Sequence, residues 1–113
     1  FITRVEENAH VEAIQEFYGE TASMRENHGA VRIGRDTLVA NERAALARAQ
    51  LVDSRCVRPV LVNGNIVVIR WVFRFAWKDG KSTRIEELAY QCWDGERIVE
   101  EQFFYDPAQL TPR

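Results

Sequence analysis

Three charged side chains stand on a strand face that is otherwise apolar and aromatic: Glu86, Glu101 and Arg58. A carboxylate moved from water onto such a face either finds a partner or takes up a proton. A carboxyl group that titrates near neutrality is a ready general acid or base. Flanking by Phe73 and Phe103 is the expected cause of such a shift at Glu86. Two readings stand side by side. The trio is either a polar cluster at a pocket's floor or mouth, able to move a proton or grip a ligand's polar group, or a set of strand-end charges that pair or meet water. A further carboxylate, Glu26, shares strand parity with Ala22 and Met24 and so is expected near the same space, with a solvated position beside Arg25 as the alternative. Tyr18 and Tyr90 are able to donate hydrogen bonds into that space or to serve as core tyrosines.

Other chemistries find little support. His10 and His28 are the only histidines, Cys56 and Cys92 the only cysteines, and no metal-ligand or redox spacing joins them. Neither a metal nor any other cofactor is expected. Both cysteines read as small buried side chains in a reducing, cytoplasmic setting. The 15 basic residues are scattered against 17 acidic ones, for a net charge of −2, which argues against nucleic acid as a partner. The longest apolar run, Ile66 to Ile69, cannot cross a bilayer, and no signal peptide is visible. The chain opens on Phe1, so part of a natural N-terminus is expected to lie outside it. The length of 113 residues fits one domain, 1–113.

The elements that position these residues follow from turns and periodicity. Asn63-Gly64, Asp79-Gly80 and Asp94-Gly95 are two-residue hairpin signals that divide Leu51 to Pro107 into a four-stranded antiparallel meander. In the long strand Asn65 to Trp77, residues Val67, Ile69, Trp71, Phe73, Phe75 and Trp77 face inward, and Arg70 and Arg74 face out. Two-residue turns then set Trp71 beside Leu88 and Cys56, Phe73 beside Glu86, and Ile69 beside Tyr90 and Arg58. The last hairpin adds Val99, Glu101, Phe103 and Tyr105 to the inner face. A longer, bulged connection at Trp93 to Glu96 would instead turn Gln102, Phe104 and Asp106 inward.

Upstream, Thr3 to Glu6 fits a capping box, and Val11, Ile14, Phe17 and Tyr18 form one apolar helical stripe that stops at Gly19. A short strand over Thr21 to Asn27 and a connector to Arg35 follow. Asp36 is the expected N-cap of a second helix, Thr37 to about Gln50, with Leu38, Ala45, Leu46 and Ala49 inward. A strand from Asn65 to Trp77 would be about 43 Å long at ~3.3 Å per residue, too long to lie flat on two short helices. The sheet is therefore expected to bend strongly and leave a cavity under the helices: an α+β domain. The outer face mixes Ile66, Val68 and Val72 with Arg70 and Arg74, then Ile85, Glu87, Ala89 and Gln91, then Ile98, Glu100, Gln102 and Phe104. Such a half-apolar face suits a homodimer formed through the sheets, the alternative being an exposed amphiphilic surface.

Several segments, weak singly but ordered along nearly the whole chain, resemble the nuclear transport factor 2-like superfamily and its SnoaL-like (polyketide cyclase-like) members. They are Phe17-Tyr18, Ala22 to Asn27, Gly34 to Leu38, Val62 to Asn65, Ile69-Arg70-Trp71, Glu86 to Ala89, Arg97-Ile98-Val99 and Phe103 to Pro107. The resemblance implies a cone-shaped, cystatin-like fold, a bent antiparallel sheet with helices on its concave face, and commonly a dimer. It also implies an apolar cavity for a small hydrophobic molecule. Enzymes of the superfamily use cavity carboxylates as acid or base, sometimes with a tyrosine, and Asp106 matches an aspartate that often closes the last strand. No histidine matches the aspartate–histidine pair of the cyclases, and the ketosteroid isomerase set is not reproduced. The expectation is a cofactor-independent isomerase, cyclase or hydrolase. Its candidate catalytic residues are Glu86, Asp106 and Glu26, and its candidate ligand contacts are Tyr18, Met24, Arg58, Trp71, Phe73, Tyr90, Glu101 and Phe103. The alternative is a small-molecule binding or dimeric assembly module.

Overall fold

The computed structural model describes residues 1–113. In chain order the elements are α1 (Ile2–Glu6), α2 (His10–Phe17), β1 (Tyr18–Glu26), β2 (Arg32–Ile33), α3 (Arg35–Ala47), β3 (Ala49–Asn63), β4 (Ile66–Trp77), β5 (Ser82–Asp94), β6 (Arg97–Phe104) and a 3₁₀ turn, η1 (Pro107–Leu110). The strands form one sheet in the order β2-β1-β6-β5-β4-β3. Every neighbouring pair is antiparallel except β1 and β6, so the α+β architecture holds while the sheet is mixed rather than purely antiparallel. It does not close, since β2 and β3 remain its two edges.

The single helix expected before Gly19 is two helices. Asn8 takes φ +64°, a left-handed conformation that asparagine tolerates and that ends a helix. Thr3 lies inside α1, whose N-cap is Phe1 with no side-chain cap, so the capping box does not form. The break lets α2 start afresh at His10 and turn His10, Ala13 and Ile14 into the core. Helix α3 begins one residue before Asp36, at Arg35, with Gly34 at φ +101° as its N-cap. Asp36 sits in the first turn, where its charge suits the helix dipole.

Loop length decides the facing of the remaining strands, because one residue of slip reverses every side chain. At the β3–β4 hairpin Asn63 pairs with Ile66, one position later than expected. A bulge over Arg58 to Val60 then shifts the register by two, and Cys56 still lies opposite Trp71. Arg58 itself is thrown outward by that bulge; its side chain is 64% exposed and 4.0 Å from Glu6.

The β4–β5 connection has three residues, Lys78-Asp79-Gly80, not two. Gly80, at φ +89°, returns its N–H to Trp77 O (3.1 Å), and Trp77 N–H pairs with Lys81 O (2.8 Å). Trp71 is consequently opposite Glu87 rather than Leu88, and Phe73 opposite Ile85 rather than Glu86. Glu86, Leu88 and Tyr90 face outward; Thr83, Glu87, Ala89 and Gln91 take the inner face.

At β5–β6 a second bulge, between Cys92 and Trp93, reverses parity again. Glu101 and Phe103 therefore face inward as expected, whereas Ile98 is wholly buried in the position foreseen for Val99, which is 41% exposed.

Two apolar clusters hold the layers together. Val5, Ala13, Cys56, Ile69, Trp71 and Ala89 join α1 and α2 to the centre of the sheet. Ile14, Tyr18, Ala22, Leu38, Val39 and Ile98 join α2 and α3 to β1 and β6. After β6 the chain runs on beside β5. There Arg113 and Ser82 exchange two backbone hydrogen bonds, and Gln109 bonds the Glu86 backbone in both directions.

Candidate functional site

The space between the helices and the inner sheet face is a cavity of about 860 Å³. Alternate residues of β4 supply an aromatic ladder down one wall, since side chains two apart share a strand face. Ring centroids are 5.4 Å apart for Trp71–Phe73, 6.4 Å for Phe73–Phe75 and 4.9 Å for Phe75–Trp77. The floor is closed, with Trp71, Tyr18 and Glu101 all at most 3% exposed. At the mouth the Arg48 guanidinium lies 5.7 Å over the Trp77 ring, and Lys78, Asp79, Leu110 and Pro112 border the opening.

Glu101, from β6, is the polar centre of the floor. Its Oε1 accepts a hydrogen bond from the Tyr18 hydroxyl, and its Oε2 accepts one from Gln91 Nε2 at 2.6 Å. Gln91 Oε1 in turn accepts from Trp93 Nε1 at 3.0 Å, which fixes the amide's orientation. Burial pushes the Glu101 carboxyl up to about 7, although the bonds from Tyr18 and Gln91 pull the other way. The Tyr18 phenol is pushed well above its ordinary range, first by burial and then by the Glu101 charge.

Glu87 comes from the next strand, opposite Trp71. Burial pushes its carboxyl up to about 8, with the charges of Glu101, Glu26 and Glu42 adding to the effect. No hydrogen bond to its charged form offsets this. Near neutral pH Glu87 is thus mostly a carboxylic acid, able to donate a proton to whatever enters.

Of the residues singled out by sequence, Tyr18, Met24, Glu26, Trp71, Phe73, Glu101 and Phe103 line the cavity. Glu26 does so at the rim, 3.4 Å from Arg32, and helps burial raise the Tyr105 phenol to about 12. Glu86, Tyr90, Arg58 and Asp106 lie elsewhere. Glu86 is bonded on the outer face to Arg84 (3.1 Å) and lies 3.6 Å from Arg70, and these guanidinium groups, Arg84 foremost, hold its carboxyl below the usual range. Tyr90 is exposed on the same face. Asp106 caps η1 by accepting from Ala108 N–H at 3.0 Å, because Pro107 starts a turn directly after the strand.

Sequence reasoning missed Glu87, Gln91, Glu42 and His10. The first two follow from a three-residue reading of Lys78-Asp79-Gly80. No local signal marks the others: His10 Nδ1 meets Glu42 Oε1 at 3.1 Å and Nε2 meets Ser54 Oγ at 2.7 Å, from elements far apart in the chain. No three or more His, Cys, Asp or Glu side chains gather in a way that could hold a metal ion.

An unclosed, mixed six-stranded sheet with helices packed on one face is the architecture of the nuclear transport factor 2-like fold, as the structures that resemble it show. Sequence comparisons with protein-family models and with curated proteins return no match. Solved structures do match in shape. A SnoaL-like protein from Mesorhizobium loti superposes with TM-score 0.76 at 16% identity, over 91% of each chain. A protein of ketosteroid isomerase-like fold from Catenulispora acidiphila, in complex with trimethylamine, gives TM-score 0.79 at 16% identity, over 96% of this chain and 84% of that one. An LEH-like epoxide hydrolase from M. tuberculosis gives 0.79 at 12% identity, over 97% and 80%. At these identities the likeness is one of fold, and function has to be argued from the site.

Proposed function

We propose that residues 1–113 form one domain that takes a small, largely apolar molecule into the cavity and transfers protons to or from it without a cofactor, as an isomerase, cyclase or hydrolase does. The observation that carries this reading is Glu87: a carboxyl facing an aromatic-walled cavity, raised to about 8 by burial and by three neighbouring carboxylates. A surface glutamate has no cause to titrate there. The aromatic ladder supplies apolar contact for a ligand, and the buried floor residues Trp71, Tyr18 and Glu101 give charges there a low-dielectric setting, which strengthens their interactions. The LEH-like epoxide hydrolase and the SnoaL-like protein of the same fold lend the enzymatic reading support by analogy.

Carboxyl-carbon NMR titration of the free protein tests it. Glu87 is expected to titrate near 8; a midpoint near ~4.3, the value of a solvated glutamate, would sink the acid–base role. One observation favours a second reading, a binding module without turnover: both oxygens of Glu101 already accept bonds, from Tyr18 and Gln91, as in a structural polar core. Under that reading Glu87→Gln leaves ligand affinity intact while Trp71→Ala abolishes it.

A homodimer through the outer face remains part of the proposal, supported by the exposed Leu88, Tyr90 and Phe104 on adjacent strands. The free cysteines support a cytoplasmic setting.

A further inference from the structure

A second polar cluster reaches the cavity from the helical side. His10 opens α2, Glu42 lies on α3 and Ser54 on the inner face of β3, so that three separate elements meet at one imidazole. The ring is 8% exposed and Ser54 5%, with the Phe73 ring packed against His10 at 5.6 Å between centroids. A carboxylate only accepts, so the hydrogen between His10 and Glu42 belongs to Nδ1 (3.1 Å). Nε2 faces the Ser54 hydroxyl at 2.7 Å, and a hydroxyl donates or accepts by rotating about its C–O bond. The tautomer with its hydrogen on Nδ1 therefore keeps both bonds, donating to Glu42 and accepting from Ser54.

Glu42 bonds His10 through Oε1 alone, lines the cavity, and keeps a side chain 31% exposed. Its charge is felt across the cavity, where it raises Glu87, Glu101 and Tyr18. Its other oxygen is thus free to meet a bound molecule, on the wall opposite the acid Glu87.

We infer that Glu42 is the proton-accepting catalytic residue of the cavity, positioned by the His10–Ser54 pair, and that it works on small apolar molecules bearing an acidic C–H bond while Glu87 faces the atom that gains charge. This rests on the proton-transfer reading above. The histidine's role is to fix the rotamer of Glu42 by donating Nδ1–H to it, and the serine's is to fix the histidine.

The probe is 5-nitrobenzisoxazole, a small aromatic carbon acid that needs only a base. Glu42 takes the ring C–H proton, the freed electron pair forms the nitrile, the N–O bond breaks, and the oxygen leaves as a coloured cyanonitrophenolate. No oxidant or other reactant takes part. The parent protein is expected to speed this above buffer, and Glu42→Gln to lose about 10²-fold, the usual scale of general-base catalysis. Glutamine keeps an oxygen for His10 Nδ1–H, so the fold is retained, which circular dichroism checks. His10→Gln should lose roughly tenfold and move the pH profile of the rate, which a merely structural histidine would not do. Ring-nitrogen NMR should show the hydrogen on Nδ1.

A Glu42→Gln variant that keeps the parent rate overturns the inference, as does a parent protein no faster than buffer. If Glu87→Gln alone abolishes the rate, this assignment falls while the proton-transfer reading stands. If Glu87 also titrates like a solvated glutamate, both fall.

Discussion

Glu86 and Glu87 leave the same strand one residue apart and meet different surroundings. Glu86 points to the outer face, where Arg84 and Arg70 hold its carboxyl below the usual range. Glu87 points into the cavity, where burial and three carboxylates raise it to about 8. The residue type is the same and the backbone is continuous, so the difference comes wholly from facing. Facing, in turn, is set by whether the chain spends two residues or three on the Asp79-Gly80 turn. A chemical property of the cavity is thus decided some seven residues away, by the length of a surface loop, since strand parity carries that choice along the strand.

Deleting Asp79 attacks the comparison at its root and should have the largest effect. A two-residue connection would ask β5 to turn Leu88 and Tyr90 inward and the fully buried Ala89 and Gln91 outward. The lost packing exceeds the ~5–15 kcal/mol that keeps a domain folded, and cooperative thermal unfolding by circular dichroism should disappear. A variant that still melts cooperatively, with Glu87 still titrating high, would show that facing is set elsewhere.

Glu87→Gln sharpens the comparison. An acid whose folded value is raised favours the folded state while it is protonated. The contribution of Glu87 is full below its ordinary 4.5 and is lost as pH rises through about 8. Glu101 adds a similar loss as pH rises through about 7. Glutamine removes the first loss, so the variant's unfolding free energy from urea titration should overtake the parent's above pH ~8, by an amount on the order of 2 kcal/mol. Parallel pH curves for the two proteins would mean that Glu87 is solvated.

The same logic explains what was legible in the sequence. The inner face of β4 could be read directly, because six apolar or aromatic residues alternate there with two arginines and only one facing buries them. The facing of β5 could not, because Asp-Gly serves two- and three-residue hairpins alike and both faces of β5 carry glutamates and aliphatic residues. Glu101 and Phe103 were read inward for a partly accidental reason: the slip at Asp79-Gly80 and the bulge at Cys92 reverse parity twice. The break at Asn8 was hidden because a capping-box match at Thr3 to Glu6 followed by an apolar stripe from Val11 reads as one helix, and the backbone turn between them needs only one left-handed residue. His10 and Glu42 carry no signal at all in one dimension. They are brought together by the packing of α2 on α3, which only tertiary structure specifies.

Two smaller perturbations complete the series. Tyr18→Phe leaves the Glu101 carboxyl buried with Gln91 as its remaining side-chain partner. An unsatisfied buried group costs about 1–3 kcal/mol, measurable by urea titration near neutral pH. The Tyr18 bond is also one of the two that lower Glu101, so its NMR titration should move above about 7 in the variant. A downward move would mean that the phenol acts on Glu101 through something other than this bond.

Glu86→Gln is the control on the opposite face, and the smallest effect is expected there. Its lowered carboxyl favours the folded state above the ordinary 4.5 and loses that contribution as pH falls through its folded value, the reverse of Glu87. The side chain is 40% exposed, so water and salt screen its arginines. Parent and variant should differ slightly at neutral pH, converge as the medium becomes acidic, and converge again in concentrated salt. An effect at Glu86 as large as that at Glu87 would break the comparison, because two adjacent glutamates cannot both face the desolvated side of one strand.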